Sequence, residues 1–305
     1  MVTFLHVVET GSFTATAELE GVPKSRISQR ISDLERHLGV RLLHRTTRTL
    51  RLTEDGRAYH AKCEAIIQDI DELEAALKGA ASEPRGTLRV EALASIARWI
   101  LAPRIHEFCA RYPGISLRLG SSDHIRHLLE EGIDCAIRGG RLESSSQIAR
   151  HVCDVRLGLY AAPDYLGVAG GLVRPENLAD HQRISWFTGR RAPSAWRLVK
   201  GDEQVEIAEA DALRFDDPDV AIESAIAGAG ICPAAPFAAE KFVRAGQLTP
   251  VLPEWSFEPR PIHIIYPSNR HLSARVRCFV DWSAELMRTS QSLMMTPLDL
   301  ARVDA

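Results

Sequence analysis

The chain has 305 residues, 45% of them hydrophobic and 25% charged, with 20 Gly and 16 Pro. That length exceeds one typical domain of about 100–200 residues, and the composition excludes collagen-like, low-complexity and wholly disordered chains. A net charge of −3 by itself argues against a nucleic-acid partner, but residues 21–60 hold nine Lys and Arg against Asp33, Glu35, Glu54 and Asp55, a basic head on an acidic body.

In chain order, Val2, Leu5 and Val8 with Phe4 and Val7 predict a first helix stopped by Gly11. Ser12 is placed to cap a short second helix from Phe13 to Leu19, which Gly21 ends. Ile27, Ile31, Leu34 and Leu38 put a third helix at Pro23–Leu38, stopped by Gly39. Helices two and three, joined by the tight Glu20-Gly21-Val22 turn, read as a helix-turn-helix. The outer face of the third helix carries Lys24, Ser25, Arg26, Ser28, Gln29 and Arg30, donors able to reach base edges and phosphates. Val40–His44 and Thr49–Leu52 are β-prone and flank Arg45-Thr-Thr-Arg48, which predicts a two-stranded wing with Arg48 at its tip and Arg45 beside it. The bland alternative is a solvated helix with a surface hairpin.

These residues resemble the DNA-binding domain of LysR-type transcriptional regulators. The pattern is Val8-Glu-Thr-Gly-Ser-Phe13, Ala15-x-Ala17-x-x-Leu19, Ile27-Ser28-x-x-Ile31, Leu34-Glu35-x-x-Leu38-Gly39-Val40-x-Leu42-Leu43-x-Arg45 and Leu52-Thr53-x-x-Gly56. The resemblance implies an all-α winged helix-turn-helix over residues 1–57, with contacts to double-stranded DNA from Lys24, Ser25, Arg26, Ser28 and Gln29 and from Arg48 in the wing. Three departures stand out. The chain opens at what corresponds to the middle of the family's first helix, which points to an upstream start codon. Pro23 occupies a position where a capping Ser is frequent, and Leu43 replaces a frequent Phe.

Tyr59, Cys63, Ile66, Ile70, Leu73 and Leu77 follow at spacings of four and three, a seam that predicts a coiled-coil dimerisation helix over 58–78. The alternative is packing on the chain's own body. Residues 79–86, Gly-Ala-Ala-Ser-Glu-Pro-Arg-Gly, read as a hinge. The resemblance implies a homodimer or homotetramer, with RNA polymerase a further candidate partner.

From Thr87 strands and helices alternate: strands at 87–91, 115–119, 135–138, 156–161, 183–187, 213–215, 230–232 and 262–266, and helices at 99–112, 125–131, 218–227 and 273–287. This predicts an α/β sheet architecture whose two lobes leave a cleft, a common ligand site. The body also resembles the family's effector domain, with the fold of periplasmic binding proteins, through Pro84-Arg-Gly-Thr-Leu-Arg-Val90, Glu131-Gly-Ile-Asp134-x-Ala-Ile-Arg138, Ala227-Gly-x-Gly-Ile231 and Arg275-Val-Arg277. The whole is thus expected to be multidomain, with an effector domain over 87–288 whose lobe I covers about 87–160 and 266–288 and lobe II about 161–265. Residues 289–305 are expected to be a disordered tail.

Ser95 precedes a helix, Ser122 follows a strand, and Arg138 ends a strand with a fork suited to a carboxylate. Together they suggest an organic-acid effector; the alternative is that the serines are caps and Arg138 pairs with Asp134 or Asp123. Asp216, Asp217 and Asp219 are expected to cap a helix. His124 and His127 share a helical spacing without an identifiable further ligand, so no metal is expected. No hydrolase, metalloprotease or Walker motif occurs, so no catalytic residue and no cofactor are expected. The rival is an α/β ligand-binding or catalytic protein with a regulatory DNA-binding head. Scattered cysteines without a C-x-x-C pair, no apolar leader and no membrane span predict a cytoplasmic protein.

Overall fold

The computed structural model describes residues 1–45, 50–77, 83–123, 132–140, 147–170, 172–186, 195–208, 213–267 and 272–302. The expected helix at 125–131, His124, His127 and Arg48 lie outside the described residues, as do the side chains of Arg45, Leu73 and Leu77. The chain divides into two compact units, residues 1–86 with 127–133 and the remainder.

The head begins with α1 (Val2–Thr10), α2 (Phe13–Glu20) and α3 (Lys24–Leu38). Each ends where a glycine accepts a left-handed backbone, at φ 63° for Gly11, 64° for Gly21 and 72° for Gly39. The Ser12 hydroxyl accepts from the Thr14 and Ala15 N–H groups, as expected of an N-cap, whereas Pro23 opens α3 with no side-chain cap. Phe4, Val7, Ala17, Ile27, Ile31, Leu42 and Leu43 form the core. The wing strands β1 (Leu43–Arg45) and β2 (Leu50–Leu52) pair antiparallel, Leu43 opposite Leu52.

The linker helix α4 (Glu54–Leu77) starts under tight constraint. The Thr53 hydroxyl accepts from Gly56 N–H at 2.9 Å and donates to the Arg41 carbonyl, while Thr53 N–H donates to the Leu42 carbonyl at 3.0 Å. A Cβ at Gly56 would stand 2.0 Å from that same Leu42 oxygen. The Thr53-x-x-Gly56 motif is therefore the joint by which the linker helix is seated on the wing.

The second unit holds a five-stranded sheet in the order β4 (Ile115–Ser121), β3 (Gly86–Ala92), β5 (Cys135–Gly139), β15 (Arg260–Pro267), β6 (Gln147–Val155). β3 and β5 run parallel, and β15 is antiparallel to both β5 and β6. This is lobe I, with helical turns from α5 (Ala94–Ile96) to α6 (Ile105–Arg111) on it. The ladder between them widens to a π-turn at Ala97–Leu101, with Ala102 N–H returning to the Ala97 carbonyl. In lobe II, β7 (Gly158–Ala161) lies between β12 (Cys232–Ala234) and β13 (Thr249–Val251), with β8 (Ile184–Trp186) and β11 (Leu213–Phe215) parallel to each other. The Arg183–Ile231 bridge joins the two groups. Its helices are α7 (Pro163–Ala169), α8 (Pro218–Ile226) and α9 (Pro236–Arg244).

Three expectations need correction. The segment 156–161 is not one strand: Arg156 and Leu157 cross from β6 in lobe I to β7 in lobe II. The return falls between β14 (Ser256–Phe257) and β15, so hydrogen bonding puts residues 260–265 in lobe I and 158–160 in lobe II. The hairpin of β9 (Ala195–Lys200) and β10 (Glu203–Ala208) was not expected, although Trp196, Leu198 and Ile207 alternate inward across the Gly201-Asp202 turn. The tail is ordered through residue 302: after α10 (Ala274–Thr289) come α11 (Gln291–Met294) and α12 (Pro297–Ala301), with Leu293 and Leu300 fully buried.

Candidate nucleic-acid interface and effector cleft

The third helix sorts its residues by face. Ile27 and Ile31 are buried, while Lys24, Ser25, Arg26, Gln29 and Arg30 are exposed and Ser28 is half-buried. Hydrogen bonds divide the exposed set further. Arg30 donates to Glu20 Oε2 at 2.7 Å, and Glu20 also accepts from Thr3 and meets His6 Nδ1 at 2.9 Å, so Arg30 helps tie α1, α2 and α3 together. Gln29 donates to Asp33 within its own helix. Glu35, nearly buried, accepts the N–H groups of Leu42 and Leu43 at 3.0 and 3.2 Å and fixes where the wing leaves α3. What remains is a cationic patch at the start of α3 from Lys24 and Arg26, flanked by the Ser25 and Ser28 hydroxyls. That is the residue set a helix needs to hold phosphates and reach base edges.

The expected linker seam divides in two. Tyr59 packs into the head, edge-on to Phe4 at 5.5 Å, Cys63 is buried, and burial pushes both of their pKa values up. Ile66 and Ile70 instead expose an apolar stripe.

In the second unit, Ser122 and Arg138 meet, but not as an open anion site. Arg138 is buried and donates to the Ser122 carbonyl at 3.2 Å. The N–H of Ala94, beside half-buried Ser95, donates to Asp123 Oδ1 at 2.7 Å. The chain's own carboxylate thus occupies the helix start that was expected to receive a ligand's. Burial raises the pKa of Asp123, with Asp217 and Asp219 adding to the rise and the Ala94 N–H and Arg138 opposing it. Arg260 completes the cluster: its guanidinium lies over the Trp186 ring at 5.1 Å, and crowding lowers its pKa while Asp123 supports its charge. It retains open surface all the same, the mark of a side chain that lines a cleft.

Asp217 caps α8 through Asp219 N–H at 2.8 Å, as expected. Asp219 does more. It accepts from Trp99 Nε1 at 2.9 Å and pairs with Arg98 at 3.1 Å, joining the lobe I helix to α8. The Lys241 ammonium sits 4.4 Å from both the Trp99 and Phe242 rings. These side chains with Ile222 and Glu223 surround a pocket of about 400 Å³. Sequence reasoning missed Arg260, Trp186 and Trp99, whose partners lie far away in the chain.

Asp134, offered above as a partner of Arg138, holds other groups instead. Asp134 accepts from Arg89 N–H at 2.8 Å and faces buried Arg275 at 3.9 Å. The Asp134 and Arg275 motifs therefore meet as a fold-holding pair. Among the described residues no group of three His, Cys, Asp or Glu could hold a metal ion, and no helix is long and apolar enough to cross a membrane.

Residues 1–57 match the bacterial regulatory helix-turn-helix protein, lysR family, and residues 81–288 match the LysR substrate binding domain. The chain belongs to the LysR family. It is a DNA-binding transcriptional regulator whose second domain binds a small-molecule effector. An HTH-type transcriptional repressor of Pseudomonas aeruginosa is 57% identical over 99% of this chain and 95% of its own length. The solved LysR-type regulator CrgA of Neisseria meningitidis is 32% identical, with a TM-score of 0.61 over 93% of this chain and 96% of its own. The full-length Vibrio cholerae virulence activator AphB is 28% identical, with a TM-score of 0.60 over 93% and 97%.

Proposed function

We propose that this LysR-type regulator is a cytoplasmic repressor, without enzymatic activity, cofactor or metal, that binds its operator as a homodimer or a homotetramer and is released or retuned by an organic acid. The observation that carries the DNA-reading half is the start of α3, where Lys24, Ser25, Arg26 and Gln29 are exposed over a buried Ile27–Ile31 face. Ser28 and Gln29 read base edges, and Lys24 and Arg26 hold phosphates. Arg45 and Arg48 serve the wing, and Arg30 contributes mainly through Glu20. Repression follows the named relative at 57% identity; it acts by keeping RNA polymerase from the promoter.

Domain boundaries follow the same reading: head 1–57, linker helix 58–78, hinge 79–86 and effector domain from 87. Ile66, Ile70, Leu73 and Leu77 form the dimer seam beyond the part of α4 that the head covers. Two heads on such a seam read half-sites about 34–36 Å apart or a multiple of that. The effector's carboxylate goes to Arg138 and Arg260 with help from Ser95 and Ser122, and it must displace Asp123 to do so.

Fluorescence anisotropy at fixed salt tests this, comparing DNA upstream of the protein's own gene with a scrambled duplex of equal length. Preference for the upstream duplex by roughly a thousandfold or more is expected of a specific regulator. Equal affinity for both would contradict base reading, because phosphate contacts alone do not distinguish sequences.

A further inference from the structure

The two lobes are joined by two neighbouring crossings. Arg156-Leu157 leads from β6 into β7, and the β14–β15 connection returns, with Phe257 N–H donating to the Leu157 carbonyl at 3.0 Å. Two connections bonded side by side act as one hinge, about which lobes rotate. The chain crosses a third time, beyond the matched effector domain, which ends at residue 288.

After α10 in lobe I, one residue, Ser290, leads to α11, which touches both β6 of lobe I and α9 of lobe II. Two residues, Met295 and Thr296, then lead to α12, which lies on α9 and β13 of lobe II. Each turn is locked locally. Ser290 caps α11 through Leu293 N–H, and Thr296 and Asp299 cap α12 reciprocally. Leu293 and Leu300 are buried in the hydrophobic cluster that runs through both lobes. Pro297 sits on β7 so closely that a Cβ on Gly158 would come within 2.7 Å of it.

We propose that residues 290–302 are a strap that ties lobe II to the last helix of lobe I and sets the resting angle between the lobes. The links are short. A residue spans at most about 3.5 Å, so the lobes cannot rotate far about the hinge unless α12 leaves α9 and β13 or α11 leaves the seam. The effector domain thereby starts from a restrained state, and the energy of any ligand that turns the lobes is set partly against the strap's seat.

The test is the distance between spin labels on the full chain, one on native Cys109 of α6, which is exposed, and one on Val168→Cys of α7, where Val168 is 93% exposed. Cys278 is replaced by Ser, and labelled chains are diluted with unlabelled ones to suppress distances between copies. The parent should give one narrow distribution. Two variants loosen the strap differently: a stop after Thr289 removes it, and about six Gly and Ser residues inserted between Met295 and Thr296 leave α12 seated but slacken the link. A broadened distribution in both supports the strap. A narrow one in the insertion variant overturns it whatever the truncation does, because packing without tension would then suffice. If the truncated chain does not fold, the insertion variant decides alone.

Discussion

Gly56→Ala offers a demanding check, because helix propensity and the structure predict opposite signs. In an exposed helical position the change favours folding by about 1 kcal/mol. Here the new methyl would meet the Leu42 carbonyl oxygen at 2.0 Å and its carbon at 2.9 Å, where ordinary contacts begin near 3.5 Å. Both obstacles are backbone, so no rotamer change relieves them. The first turn of α4 must withdraw by an ångström or more, which breaks Thr53 N–H to Leu42 at 3.0 Å and strains Thr53 to Arg41. A lost hydrogen bond of about 1 kcal/mol and overpacking of about 1–3 kcal/mol, less the propensity gain, leave a net loss of about 1–3 kcal/mol. For a head of this size, each kcal/mol is worth about 4–8 °C. Calorimetry of the full chain should show the head's transition lowered accordingly, with operator affinity falling in parallel because the wing shifts with Leu42. An unchanged or raised transition would refute the close-approach account of the Thr53-x-x-Gly56 motif.

Other substitutions separate structural from reading residues. Arg30→Ala should lower the head's stability by up to about 1 kcal/mol and weaken all duplexes alike, whereas Ser28→Ala and Gln29→Ala should narrow the gap between operator and scrambled DNA; equal effects on both duplexes from all three would remove base reading from α3. Asp123→Asn keeps an acceptor for Ala94 N–H while deleting a buried charge. Because the folded pKa of Asp123 is raised, its ionisation costs stability as pH rises through that value, so the variant should gain melting temperature near pH 7.5 and lose the advantage on acidification. A variant less stable at neutral pH would show that Arg138 and Arg260 outweigh burial. Thiol reagent at pH 8 should modify exposed Cys109 and half-buried Cys278 but spare Cys153 and Cys232, whose thiols burial pushes up to about 11 and about 12; rapid labelling of Cys232 would contradict its burial.

What was legible in the sequence was local. Gly11, Gly21 and Gly39 stop three helices because each needs a left-handed backbone within a few residues of an apolar stripe, and a reader sees stripe and stop together. The strand starts of the effector domain were legible for the same reason, through runs such as Cys135–Arg138. The lobe boundary was not, since Arg156 and Leu157 look like a continuation of β6, and only the pairing of β7 with β12 and β13 shows that the chain has changed sheets. The tail misled through its polar start. Leu293, with Met294 and Met295, and Leu300, with Leu298, form short apolar groups at no sustained period, and they find partners on elements tens of residues earlier in the chain.

The effector cleft shows the same division at the level of chemistry. Ser95, Ser122 and Arg138 were found because strand ends and helix starts are where open α/β sheets gather ligands, and Ser122 and Arg138 do meet. The charges around them are not legible locally, because charge at a site is a sum over distant segments. Asp123 comes from β4's end, Arg260 from the return crossing, and Asp217 and Asp219 from α8. Asp219 bonds Trp99 across 120 positions. Among the described residues, Arg138 and Arg260 act on Asp123 from one sign and Asp217 and Asp219 from the other, so the position an incoming anion would take is already compensated by the chain's own carboxylate. A carboxylate effector therefore gains less from bare attraction than from replacing Asp123 at Arg138 and Arg260. That exchange moves a side chain hydrogen-bonded to Ala94, which lies in the same helical run as the Arg98 and Trp99 that hold Asp219. Ligand exchange at Asp123 is thus mechanically connected to the Asp219 contact between lobes, and the Asp123→Asn chain, with its charge already gone, should bind carboxylates without that competition.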